Sequence, residues 1–216
     1  MRLILFDCDG TLVDSQHMIV AAMNGAFESV GLVPPARNRT LSIIGRSLHE
    51  AMADLTDDHH PIEEMVMAYK KSFFELRSNS DYHEPLYDGA LECLEALAKE
   101  DDIVVGMATG KSRRGVDAIV KLHGLEGQFA TIQTADNAPS KPNPAMIFQA
   151  LEETGASVEG AVLIGDTSFD MTMAKNAKIT GLGVTWGYHD TPELERSGAS
   201  VLFDSFGELQ AHLLAD

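Results

Sequence analysis

Five short apolar runs constrain this chain most: residues 3–6, 103–108, 161–164, 181–185 and, more weakly, 200–203. Each is continuous in its apolar residues rather than alternating, the pattern of a strand covered on both faces. Stretches with helical spacing lie between them. Leu91, Leu94, Leu97 and Ala98 form one stripe. Val116, Ile119, Val120 and Leu122 form a second, closed by His123-Gly124. Ile147, Phe148 and Leu151 form a third, stopped by Gly155. Apolar strands alternating with amphipathic helices predict an α/β chain: a parallel sheet with helices on both sides.

One region interrupts the alternation. Residues 15–84 contain no convincing strand. Met18, Met23, Ala26 and Phe27 mark one helix there, and Met65, Met67, Tyr69, Phe73 and Leu76 mark another. A strand, about 70 helical residues, then a return to alternation is the pattern of an inserted helical domain. The expected division is therefore a core of residues 1–14 plus 85–216 and an insertion of residues 15–84. Residues 78–81, ahead of Pro85, read as the second hinge.

A chain of 216 residues buries roughly 70% of its unfolded surface and needs no disulfides. Its two cysteines, Cys8 and Cys93, form no framework, so a reducing compartment is expected. The first apolar run is too short for a secretory leader, and no run is long enough to span a bilayer. A cytoplasmic protein follows as the expectation. The net charge of −17 repels polyanions, so neither nucleic acid nor a membrane surface is expected as a partner. A monomer or a homodimer is equally compatible with the sequence.

Four groups of polar residues stand at predicted strand ends, where open α/β sheets bind ligands. The first is Asp7-Cys8-Asp9-Gly10-Thr11, two acids one residue apart beside a glycine that lets the chain turn sharply. Like charges so close oppose each other unless a cation or a shared proton relieves them. The second is Thr109-Gly110-Lys111, a hydroxyl and a glycine ahead of a helix, suited to an anion. The third is Lys141-Pro142, and the fourth Gly165-Asp166, with Asp170 four residues on. Taken singly, each also reads as a turn, a helix cap or a surface lysine. Gathered by one sheet, they read as a site for Mg²⁺ and phosphate, since hard cations take oxygen ligands and share phosphate oxygens.

The order Asp7-x-Asp9-Gly10-Thr11, Thr109-Gly110, Lys141-Pro142, Gly165-Asp166-x-x-x-Asp170 closely resembles the haloacid dehalogenase (HAD) superfamily, and most of all its phosphoglycolate-phosphatase-like branch. The resemblance implies a Rossmann-like parallel-sheet core with an inserted α-helical cap domain. It implies a Mg²⁺-dependent phosphatase of a small phosphorylated metabolite, working through an aspartyl-phosphate. Asp7 would be the nucleophile and Asp9 the general acid/base. Asp7, Asp166, Asp170 and the Asp9 backbone carbonyl would attend the metal, with Asp170 a ligand or its support. Gly10, Thr109, Gly110 and Lys141 would surround the phosphoryl group.

Details discriminate within the resemblance. Asp9 disfavours dehalogenases and phosphonate hydrolases, which lack that acid. Thr11 favours phosphatases over sugar phosphomutases of the beta-phosphoglucomutase type, which remain the alternative. Ile19 stands where many such mutases carry histidine, although His17 is near. Gly110 departs from the asparagine usual in phosphoglycolate phosphatases, which weakens assignment to that substrate. A phospho-receiver module fits poorly, because such modules are shorter and lack the insertion. In the cap, Arg46 within Ile44-Gly45-Arg46-Ser47 is the residue expected to grip an anionic leaving group. Lys111, Arg113 and Arg114 read as a solvated helix face, and His59-His60 as surface loop. Trp186 and Tyr188 read either as site border or as core.

Overall fold

The computed structural model describes residues 1–56, 60–78 and 83–215. Six strands form one parallel sheet: β1 Arg2–Phe6, β2 Ile103–Thr109, β3 Thr131–Thr134, β4 Ala161–Gly165, β5 Thr180–Val184 and β6 Val201–Phe203. Their spatial order is β3-β2-β1-β4-β5-β6. The chain works outward from β1 to one edge, then returns and works outward from β4 to the other. The reversal between β1 and β4 opens a crevice at their C-terminal ends.

Helices cover both faces, and the pleat divides β1 between them. Ile4 and Phe6 join a cluster with Leu94 of α5 (Ala90–Leu97, the first helix after the insertion), Val116 of α6 (Arg113–His123) and Leu213 of α10 (Phe206–Ala215). Leu3 and Leu5 join Ile147 of α7 (Ala145–Thr154) and Met173 of α8 (Ser168–Ala177) on the other face. This two-sided burial is why the strands read as continuous apolar runs. One strand escaped the sequence reading. β3, Thr-Ile-Gln-Thr, is four residues long and pairs only with β2 at the sheet edge, so it carries little apolar signal.

Between β1 and α5 lie α1 Gln16–Ser29, α2 Arg37–Leu41, α3 Leu48–Leu55 and α4 Ile62–Leu76. The sequence pattern marked the first and last of these; α2, at five residues, is too short to show a stripe, and the stripe of α3 (Leu48, Ala51, Met52, Leu55) went unread. α1 packs along α4 around Met23, Phe27, Met52 and Met65, a core separate from the two sheet clusters. The two ends of the insertion run side by side, with Val13 bridged to Leu86 and the Asp14 N–H bonded to the Pro85 carbonyl at 2.9 Å. Of the expected hinge, residues 79–81 lie outside the described residues, as does His59 of the His59-His60 pair.

The helical layer meets the core closely at the loop 44–47. The Ser47 N–H donates to Ser140 Oγ at 2.8 Å. A Cβ on Gly110 would stand 2.5 Å from the backbone oxygens of both Gly45 and Arg46. Gly110 is therefore the place where cap backbone meets core backbone with no room for a side chain. Gly110→Ala must displace the loop or itself, so we expect a loss of about 1–3 kcal/mol, the usual cost of overpacking. Urea denaturation with the m-value compared to wild type checks this.

Candidate active site

β1 delivers Asp7 to the crevice, buried, as the first residue beyond the strand. Its Oδ1 accepts the Cys8 N–H at 2.7 Å and lies 3.0 Å from Lys141 Nζ. The Thr109 hydroxyl, at the end of β2, is near enough to this carboxylate to oppose the rise in its pKa. Its Oδ2 is buried with no partner at all. Burial pushes the Asp7 carboxyl up to about 7; Lys141 opposes the shift and Asp170 adds to it. Cys8 points into the core, where burial and then Asp9 push its thiol well up, so it is not a nucleophile.

Asp166 follows β4, the strand beside β1. Its carboxylate accepts from Thr11 Oγ1 and from the Tyr188 N–H, both at 2.9 Å. Burial raises its pKa well above the usual carboxylate range, with Asp170 and Asp7 adding. Backbone crowds it closely: a Cβ on Gly10 or Gly187 would fall 2.2 or 2.1 Å from an Asp166 side-chain atom. Gly10 also has φ +86°, so a turn of this kind accepts glycine alone at little cost.

Asp170 sits in the first turn of α8. The Thr167 hydroxyl caps the helix, and Asp170 Oδ2 returns the bond to the Thr167 N–H at 3.1 Å, a capping box. Its Oδ1 receives Lys141 Nζ at 2.6 Å. Lys141 is fully buried between Asp170 and Asp7. Burial works against its charge, but the two carboxylates outweigh burial and hold the ammonium protonated. Both Asp170 oxygens are thus engaged.

A carboxylate oxygen from each of Asp7, Asp166 and Asp170 lies within 4.8 Å of the others. Three buried acids stand together with two of them on one lysine, the donors are all oxygen, and Asp7 Oδ2 is unpartnered. This set fits a hard divalent cation, which would relieve the like-charge repulsion.

Asp9 is built differently. Its side chain turns away from that cluster, and Oδ1 accepts from Ser15 Oγ at 2.6 Å and Lys111 Nζ at 2.8 Å. Lys111 was expected on a solvated helix face. The structure corrects this: α6 starts at Arg113 with Ser112 as its cap, and Lys111 precedes it in a loop that turns inward. Its ammonium also lies 3.5 Å from Glu84 and 5.0 Å from the Phe73 ring centroid. Glu84 holds Arg77 at 2.7 Å. Ser15 and Glu84 were not singled out, although their places beside a motif and a domain hinge were a usable signal. Trp186 serves the core: its Nε1–H donates to the Thr11 carbonyl and its ring packs on Phe206.

A cleft of about 570 Å³ lies between the cap helices and these groups, with Asp7, Asp9, Thr109 and Gly110 along its core side. Arg46 reaches it from the cap, but both terminal guanidinium nitrogens are taken, by Glu50 and Asp54. Its Nε is buried without a partner. The guanidinium carbon stands 5.6 Å from the Phe169 ring centroid. Arg113 is exposed and pairs with Asp117, as the solvated reading expects.

Comparison with known proteins bears on the family and the fold. A family model described as haloacid dehalogenase-like hydrolase matches residues 4–184. A protein of Dickeya dadantii named "Probable phosphatase IndB" is 31% identical over 98% of this chain and 94% of its own. A phosphoglycolate phosphatase of Agrobacterium fabrum is 29% identical over 96% of this chain and 90% of its own. The crystal structure of a hydrolase from Pseudomonas syringae superposes with a TM-score of 0.86 at 29% identity, covering 100% of this chain and 99% of that one. With the motifs, the sheet order and this match over most of its length, the chain belongs to the haloacid dehalogenase-like hydrolase family, in its phosphoglycolate-phosphatase-like branch.

Proposed function

We propose that this chain is a Mg²⁺-dependent phosphatase that hydrolyses a phosphate monoester of a small metabolite, with residues 15–84 as cap over a core of residues 1–14 and 85–216. The observation that carries the reading is the contrast between two acids two residues apart. Asp7 has a bare, buried oxygen facing the cleft among acids and Lys141. Asp9 is held apart by Ser15 and Lys111. Two carboxylates in two environments suit two roles.

In this reading Asp7 attacks phosphorus and the ester P–O bond breaks, leaving the phosphoryl group on the Asp7 carboxylate. Asp9 gives its proton to the departing alkoxide and then takes one from the incoming water. Water attack at phosphorus returns Asp7 and releases inorganic phosphate. Thr109, the Gly110 N–H and Lys141 orient the phosphoryl oxygens, and the sharp turn at Gly10 brings the backbone close to them. Lys141 also opposes protonation of Asp7 and holds it in place. Arg46 meets the leaving group from the cap. Asp7, Asp166 and the Asp9 backbone carbonyl would hold Mg²⁺, with Asp170 bracing the set through Lys141 and Thr167. Bound there, the cation supplies positive charge against the phosphoryl oxygens.

Asp7→Asn should abolish phosphate release from a generic aryl phosphate in Mg²⁺, and full retained activity would refute the nucleophile assignment. The same variant tests the electrostatics. A carboxyl pushed up to about 7 binds more protons folded than unfolded. The contribution of Asp7 to the stability of the metal-free protein is therefore fully present below about pH 4 and is lost as pH rises through about 7. Asp7→Asn should accordingly melt higher than wild type at pH 8 without metal, and should gain less from added Mg²⁺; thermal shift measures both.

Asp9→Asn should lower kcat by about 10²–10⁴-fold, the usual worth of a positioned acid/base. It should leave the Mg²⁺-induced thermal shift in place, because its side chain faces Lys111 rather than the carboxylate cluster. Parallel loss of the shift and the rate would remove Asp9 from the acid/base role. Arg46→Ala should change KM between metabolite esters while sparing a small aryl phosphate, as read from initial rates on a substrate panel.

A further inference from the structure

The cleft is larger than a two-carbon acid needs, at about 570 Å³. It falls within the range of sites for drug-sized ligands, roughly 300–1,000 Å³. Its cap side joins an apolar stretch to polar groups, among them Arg46, Arg77, Lys70 and a His49–Glu63 pair. Ile19, Met23, Ile43, Ile44 and Val66 face it from α1, the 43–47 segment and α4, and Tyr69 continues the wall.

The cations nearest the catalytic carboxylates are each neutralised by protein acids. Lys111 is held by Asp9 and Glu84. Arg77 is held by Glu84, whose side chain is 2% exposed. Arg46 is held by Glu50 and Asp54. The two terminal nitrogens that make the Arg46 fork are the ones that grip a carboxylate bidentately, and both are occupied. Its Nε is buried without a partner, and the charge of the guanidinium is already met by two carboxylates. Lys70 and Arg114 reach the cleft from exposed positions at its rim, where solvent screens them.

A leaving group with its own carboxylate would therefore enter an apolar wall where the near cations are already paired, and would lose hydration without a partner. An apolar leaving group would bury its surface against the same wall. We propose that the preferred substrate is a phosphate monoester of an alcohol with an extended apolar or aromatic body, and that esters with a second anion on a short leaving group are disfavoured. This rests on the phosphatase reading above. The reaction is ROPO₃²⁻ + H₂O → ROH + HPO₄²⁻, so no co-reactant beyond water is consumed.

The test uses the full chain in Mg²⁺ with primary alkyl monoesters of matched leaving-group chemistry: ethyl, butyl, hexyl and 3-phenylpropyl phosphate, together with phosphoglycolate. kcat/KM should climb from ethyl to hexyl and phenylpropyl phosphate by roughly tenfold to a hundredfold in all. Phosphoglycolate should fall at or below ethyl phosphate. A flat series, or phosphoglycolate ahead of hexyl phosphate, overturns the proposal while leaving a phosphatase. Failure to release phosphate from any of these esters or from an aryl phosphate overturns the phosphatase reading instead. A second arm frees the Arg46 fork with the double variant Glu50→Gln/Asp54→Asn. Phosphoglycolate turnover should then rise about tenfold or more in kcat/KM with hexyl phosphate unchanged; no rise, in a variant whose hexyl phosphate rate shows it is folded, counts against the pairing as the cause.

Discussion

Lys141 is the cation on which the rest of the site depends. It is fully buried and lies 3.0 Å from Asp7 and 2.6 Å from Asp170. Asp7 comes from the end of β1 and Asp170 from the first turn of α8, so one ammonium ties the start of the chain to the motif after β4. Without it, three acids would share a buried volume with no compensating charge, a costly arrangement. Even with it, burial dominates, and Asp7 and Asp166 are held above the ordinary carboxylate range. The site is thus poised with excess negative charge and a bare oxygen, the condition a divalent cation relieves.

The second ion-pair system does a different task. Lys111 draws Asp9 away from the carboxylate cluster, and through Glu84 and Arg77 it connects that acid to the end of the last cap helix. Position within the motif thus sets the two acids in different surroundings, because residues around a tight turn face different ways. Asp7 looks toward Lys141, Cys8 toward the core, and Asp9 toward the cap. The overall acidity of the chain, −17, matters little at this scale, since each site cation is paired locally.

Much of the core was legible in the chain. Continuous apolar strands, helix-closing glycines such as Gly124 and Gly155, and acids at strand ends marked the sheet and its active edge, because burial on two faces imposes an unmistakable pattern. β3 was not legible, since an edge strand of four residues needs little apolar surface. The short cap helix α2 was hidden for a similar reason: five residues, fewer than two turns, cannot show a helical period.

Sequence by itself determined the residue types and their order: Asp7, Asp9, Thr109, Lys141, Asp166 and Asp170, each beside a turn, and a helical stretch after the first motif. Those are local matters of periodicity and turn chemistry. Only the tertiary structure decided that Lys111 is buried on Asp9 and not solvated, that Gly110 is where the 44–47 loop docks, and that Arg46 is already held by Glu50 and Asp54. The physical reason is that pairing and burial depend on groups from other elements, brought together by chain crossings that one-dimensional spacing does not encode.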